Sequence, residues 1–172
     1  NFDGITYAKG ASVLKLLVSF VGIEAFLTGV GRYFAKHAFG NTTLTDLLTE
    51  LEAASGRDLS WFSSEWLETS GVNTLRAEFL VDEKGTFTQF AVVQSAPADH
   101  PTLRTHRLGI GSYALSEEGL TRVDSVEIDV RGERTEVPQL VGRTRGDVVL
   151  LNDGDLTFAK VRLDDASRAA VV

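Results

Sequence analysis

Tyr7 is the residue whose neighbours set it apart as a candidate for chemistry. It lies in the segment Phe2-Asp3-Gly4-Ile5-Thr6-Tyr7-Ala8-Lys9-Gly10-Ala11. A phenol carries one O–H donor, and a donor aimed at developing negative charge can stabilise a transition state. The same residue has a plainer use. In the first turns of an amphipathic helix a tyrosine packs its ring and points its hydroxyl at water or a backbone group. On the residues alone both readings stand.

The other reactive side chains form weaker patterns. The histidines are His37, His100 and His106. No H-E-x-x-H occurs, and none of the three has a second His at helical ligand spacing. His37 falls at an expected helix C-terminus, where it can meet the last carbonyls. His100 precedes Pro101 in an expected loop and His106 falls in an expected strand, with no carboxylate at a spacing that would make them a metal pair. No Gly-x-Ser-x-Gly elbow is present. Gly109-Ile110-Gly111 sits in a strand pattern, not at a strand-to-helix turn, so it does not read as a phosphate loop. Asn152-Asp153-Gly154-Asp155 lacks the twelfth-position Glu of a calcium loop and reads as a hairpin turn. Asp164-Asp165 reads as a solvated end.

Composition narrows the classes. The 172 residues carry a net charge of -7 with no basic run, which argues against nucleic acid and anionic membranes as partners. No apolar stretch reaches the roughly 18 residues of a membrane span. There is no cysteine, which excludes disulfides, thiolate metal sites and a Cys nucleophile and is compatible with a reducing cytoplasm. There is also no methionine, and the sequence opens Asn1-Phe2-Asp3. We expect the chain to be an internal piece of a longer protein.

Two patterns position these residues. Over residues 1 to about 70 the apolar period is helical. Ile5, Ala8, Val13, Leu16, Leu17 and Phe20 form one stripe, with Gly22 as a stop. Phe26, Leu27, Val30, Tyr33, Phe34 and His37 form a second, closed by Gly40. Thr43-Leu44-Thr45-Asp46 resembles a capping box opening a third helix, with Leu44, Leu47, Leu48 and Leu51 on one face and Gly56 at its end. Asp58 or Ser60 caps a short fourth helix holding Trp61, Phe62, Trp66 and Leu67. Helices are expected over 5–20, 24–37, 44–55 and 60–68. After Gly71 the period becomes two: Leu75, Ala77, Phe79 and Val81 alternate with polar residues. Further strands are expected near 86–94, 105–115, 121–130, 147–151 and 156–163. The expected fold class is therefore α+β, a helical subdomain over 1–71 followed by a small antiparallel β-sandwich over 72–172.

The segment around Tyr7 resembles the stretch that follows the zinc site in the aminopeptidase N family, where Tyr-x-Lys-Gly-Ala opens a helix of the catalytic domain. The likeness continues through Gly22-Ile23-Glu24-Ala25-Phe26, Tyr33-Phe34, His37-Ala38-Phe39-Gly40-Asn41-Thr42-Thr43 and Leu59-Ser60-Trp61 to Trp66-Leu67-Glu68-Thr69-Ser70-Gly71. Residues 73–172 resemble the small β-sandwich domain that follows, most of all in actinobacterial members.

The resemblance implies a zinc metallopeptidase that removes N-terminal residues from peptides, in a bacterial cytoplasm. In the family, zinc is held by H-E-x-x-H and a later Glu, and a Gly-x-Met-Glu-Asn loop holds the substrate amine. None of these is in this sequence, so zinc is expected in the intact enzyme and none in this chain. Tyr7 matches the tyrosine that hydrogen-bonds the oxyanion of the tetrahedral intermediate. Lys9 and Gly10 match the same motif; we read Gly10 as serving close helix packing and Lys9 as meeting a nearby carboxylate or carbonyl. The chain is expected to pack against an upstream catalytic portion and a downstream helical domain, and to be inactive alone. The rival reading is a non-enzymatic sandwich module that binds a partner through its face or loops.

Overall fold

In the computed structural model, residues 4–172 are described, with side chains from Tyr7 onward; Phe2, Asp3 and the side chain of Ile5 lie outside the described residues. Helix α1 (Gly4–Val21) buries Val13, Leu16, Leu17, Phe20 and Val21, spaced by three and four along one face. Each large side chain removed from water there contributes about 1.5–3 kcal/mol. Gly22, at φ 87°, turns the chain into α2 (Ile23–Lys36), and the two axes meet at 108°. Helix α2 packs on α3 (Leu44–Ser55) through Gly29, where a Cβ would lie 2.8 Å from Leu51 Cδ2 and 3.0 Å from the Glu50 carbonyl oxygen.

The capping box is present in full: Thr43 accepts from the Asp46 backbone N–H, and Asp46 accepts from the Thr43 N–H at 2.8 Å. Gly56 closes α3 in the left-handed conformation. Asp58 opens the fourth element by accepting the Ser60 N–H at 2.9 Å, and this element widens into a π-helical turn over Ser63–Leu67.

Some of the helical reading is corrected. Helix α2 ends at Lys36, before Gly40, because the chain turns through His37–Phe39 and Phe39 takes φ 61°. Leu27 and Phe34 are exposed. The inner face is built by Phe26, Gly29 and Val30, and with Ile23 the two side chains form an outward apolar stripe.

Two sheets follow. The first has the order β5-β2-β1-β7, from β1 (Thr74–Val81), β2 (Phe87–Ser95), β5 (Arg134–Glu136) and β7 (Lys160–Arg162). The second is β4-β3-β6, from β3 (His106–Ser116), β4 (Gly119–Val130) and β6 (Val148–Asp153). Leu75, Phe87, Phe90, Leu108, Ile110, Val130 and Leu151 interleave between them.

One pairing departs from the expected antiparallel pattern: β7 runs parallel to β1, Thr74 opposite Lys160. The chain leaves β6 in one sheet and crosses to the far edge of the other. Residues 152–155 are accordingly a crossover turn and not a hairpin, with Asn152, Gly154 and Asp155 all at positive φ. The end of the chain is also more structured than expected. Asp164 caps helix α4 (Asp165–Ala170), accepting the Ser167 N–H at 3.0 Å, and pairs with Arg145 at 3.2 Å. Ser167, fully buried, accepts the Val149 N–H at 2.9 Å.

A buried polar cluster joins the helices to the sandwich. Arg104, 3% exposed, donates to the carbonyls of Glu65 (2.7 Å) and Ser70 (2.8 Å), to Thr69 Oγ1 (2.8 Å) and to Asn73 Oδ1 (3.2 Å). Glu65 accepts the Thr105 N–H at 2.5 Å, and Trp66 Nε1 donates to the Thr105 carbonyl at 3.0 Å. Satisfied in this way, the cluster fixes one part against the other.

The Gly109-Ile110-Gly111 pattern has a steric cause. A Cβ at Gly111 would lie 2.6 Å from Asp153 Oδ2 and 2.7 Å from Tyr113 Cε2. That carboxylate cannot swing away easily, because it accepts from the Tyr113 hydroxyl at 2.6 Å and pairs with Arg122 at 3.0 Å. Gly111→Ala is expected to lower stability by about 1–3 kcal/mol. Gly10→Ala is expected to raise it by about 0.5–1 kcal/mol, since a Cβ at this interior helical position meets nothing within 4 Å among the described residues. Urea unfolding of the two variants of this chain checks both signs.

Candidate active site

Tyr7 stands in the first turns of α1 with 68% of its surface exposed. From Tyr7 to Ser12 no side chain is buried, whereas five are between Val13 and Val21. The N-terminal half of α1 thus presents its residues outward, and the C-terminal half anchors the helix. Gly10, expected to serve close packing, opens instead onto a groove of about 490 Å³. Lys9 stands at this groove, with Leu14, Leu44, Leu47 and Trp66 in its apolar walls.

The three histidines do not come together. His37 caps α2, its backbone N–H donating to the Tyr33 carbonyl at 3.1 Å, as its place at a helix C-terminus suggested. His100 bonds Ser70 Oγ through Nδ1 at 2.9 Å and packs so closely on Gly71 that a Cβ there would fall 2.6 Å from its own. His106 begins β3 and is fully buried, in edge contact with Trp66.

The Gln94 amide sets the tautomer of His106. Gln94 Nε2 donates to the carbonyls of Arg104 and Gly132, so Oε1 is the acceptor facing His106 Nε2 at 2.9 Å. Nε2 therefore carries the proton, and Nδ1 accepts from the Thr157 hydroxyl at 2.7 Å. With both nitrogens engaged, His106 offers no lone pair to a metal. Burial, and secondarily the neighbouring Arg104 charge, push its pKa down to about 3.

Among the described residues, no three His, Asp or Glu side chains converge so as to hold a metal ion. Nor, among the described residues, is any single helix long and apolar enough to cross a membrane.

Arg57 went unnoticed in the sequence. It extends from the end of α3 over the Phe20 ring, its Cζ 3.7 Å from the centroid. It donates to the Phe20 carbonyl at 2.6 Å and pairs with Asp129 of β4. Asp129 is held from its other side by Arg107 at 3.1 Å. The contacts link positions 22 to 72 residues apart, and no local motif signals them.

The chain resembles known proteins along nearly its whole length. The Peptidase family M1 domain matches residues 1–66. Aminopeptidase N of Streptomyces lividans is 60% identical, over 99% of this chain and 21% of that protein. Aminopeptidase M1 of Arabidopsis thaliana is 29% identical, over 96% of this chain and 18% of that protein. The crystal structure of Legionella pneumophila aminopeptidase A in complex with aspartic acid superposes with a TM-score of 0.71 at 19% identity, covering 95% of this chain and 18% of that one, a likeness of fold. The chain spans about a fifth of the length of these relatives. With a likeness that runs from the segment around Tyr7 through the sandwich, the chain belongs to the aminopeptidase N family, peptidase family M1.

Proposed function

We propose that this chain is part of a metallo-aminopeptidase that removes N-terminal residues from peptides in a bacterial cytoplasm. Residues 1–71 would close one side of the catalytic cleft, as the last helical part of a thermolysin-like domain, and residues 72–172 would form the sandwich behind it. The observation that carries this is the 60% identity to a bacterial Aminopeptidase N along nearly the whole chain. When bound, zinc would supply activated water; its ligands belong to parts of the polypeptide outside this chain. Upstream catalytic and downstream helical portions would pack on it.

The role of this chain's own residues centres on Tyr7. At the exposed start of α1, its phenol O–H can donate to the oxygen that gains negative charge when a peptide carbonyl becomes tetrahedral. Such a donor acts more strongly on the tetrahedral state than on the ground-state carbonyl, and that difference is what accelerates the step.

The full-length protein is expected to bind about one zinc per chain and to hydrolyse aminoacyl anilides, whereas the 172-residue chain alone does neither. Elemental analysis and a chromogenic assay on both preparations check this. A full-length protein without zinc and without turnover would overturn the proposal and leave the sandwich as a binding module.

A further inference from the structure

We infer that Arg57 is a positioning residue for Tyr7, acting through the axis of α1; the inference rests on the proposed role of Tyr7. Helix α1 has no basic residue in its last turn. Arg57 supplies that charge from outside the helix, beside carbonyls that carry the negative end of the helix dipole. Its three contacts differ in direction. The bond to the Phe20 carbonyl holds the helix end along its axis, the stack on the Phe20 ring holds its rotation, and the pair with Asp129 ties both to the second sheet. Arg107 holds Asp129 in turn, so the anchor is a strand pair and not a loop.

Leverage turns this distant anchor into a catalytic effect. Tyr7 and Phe20 are thirteen residues apart, about 20 Å along a helix. Between Tyr7 and Ser12 no side chain is buried, whereas five are between Val13 and Val21, so the buried half, where Arg57 attaches, is the main constraint that this chain places on the helix axis. A tilt of about 3° at the Phe20 end moves the Tyr7 hydroxyl by about 1 Å, and displacements of that size are enough to weaken an oriented interaction severely. Lys15 makes a second tie, to the Gly154 carbonyl at 2.9 Å, but it is half exposed and less constraining.

The test is a double-mutant cycle in the full-length protein. Arg57→Met keeps an apolar stem over Phe20 and removes the charge and the hydrogen bonds. It is expected to lower kcat by about tenfold with KM changed less than about twofold, and to have almost no effect on kcat in a Tyr7→Phe background, because residues acting as a unit are non-additive. A general loss of packing would lower kcat equally in both backgrounds. Where Arg57→Met does not fold, Asp129→Asn takes its place in the cycle, with the same outcomes. Equal falls in both backgrounds, or no fall beside an intact Tyr7, overturn the inference. A near-normal kcat for Tyr7→Phe alone overturns the role of Tyr7 as well, so the two failures are distinguishable.

Discussion

Tyr7→Phe in the full-length protein is expected to lower kcat by about 10²–10³, the usual effect of losing one oxyanion donor. The substitution deletes a single hydroxyl and keeps the ring. KM is expected to move far less, because the ground-state carbonyl gains little from the hydroxyl. Zinc content is expected to stay unchanged, since Tyr7 is not proposed as a ligand. The structure adds a second arm. With Tyr7 68% exposed, the same change in the 172-residue chain is expected to shift stability by no more than about 0.5 kcal/mol. A merely structural tyrosine predicts the opposite pair: about 1–3 kcal/mol lost and catalysis nearly intact. Steady-state kinetics on one preparation and a melting curve on the other separate them, and near-normal kcat would end the assignment.

Acid is expected to destabilise this chain well above the range in which its carboxylates titrate, and His106 is the reason. Burial and the Arg104 charge hold its pKa at about 3 in the fold, against about 6.5 in the unfolded chain. Above pH 6.5 the imidazole is neutral in both states and has no effect on the balance. Below it, the unfolded chain takes up a proton that the folded chain refuses, so stability falls as pH falls. The loss is about 2 kcal/mol at pH 5 and about 4 kcal/mol near pH 3, where the folded state begins to protonate too.

Asp46, Asp58 and Glu78 contribute in a lower window. The backbone N–H groups of Thr43 and Ser60 and the Arg134 guanidinium, respectively, hold these carboxyls below their usual range, so their contribution fades only as pH drops below about 4.5. His106→Gln retains a donor toward Gln94 and an acceptor toward Thr157 but does not titrate. The variant is expected to be less stable at pH 7.5 and to lose the slope between pH 7 and 5. Urea midpoints at both pH values provide the check; an unchanged slope would show that His106 is not the group responsible.

How much of this was legible depended on distance along the chain. The long helices follow from apolar spacing visible within eight residues: Val13, Leu16, Leu17 and Phe20 in α1, Leu47, Leu48 and Leu51 in α3. The Thr43–Asp46 capping box is a contact between positions i and i+3, so residue types alone announced it. The switch to strands after Gly71 was visible for the same reason, since alternation is local. Tyr7 stood out through its neighbours Lys9, Gly10 and Ala11, and the sequence alone left its two readings open.

Tertiary structure decided the rest, wherever a residue's role is set by partners far away in the chain. Asp164 looked solvated and is half-buried, because Arg145 comes within reach and pairs with it. The Asn152–Asp155 turn looked like a hairpin and is a crossover, because β7 joins the other sheet. Leu27 and Phe34 fit a helical stripe, but which side of α2 is inward was settled by how closely Gly29 lets α3 approach. His106 is locked as a neutral tautomer by Gln94 and Thr157, and Arg57 reaches Asp129 across 72 positions. Periodicity records only that a side chain prefers to leave water. The groups it meets once there depend on chain segments that closure brings together, and those meetings set the charge of His106, the role of Arg57 and the direction in which α1 carries Tyr7.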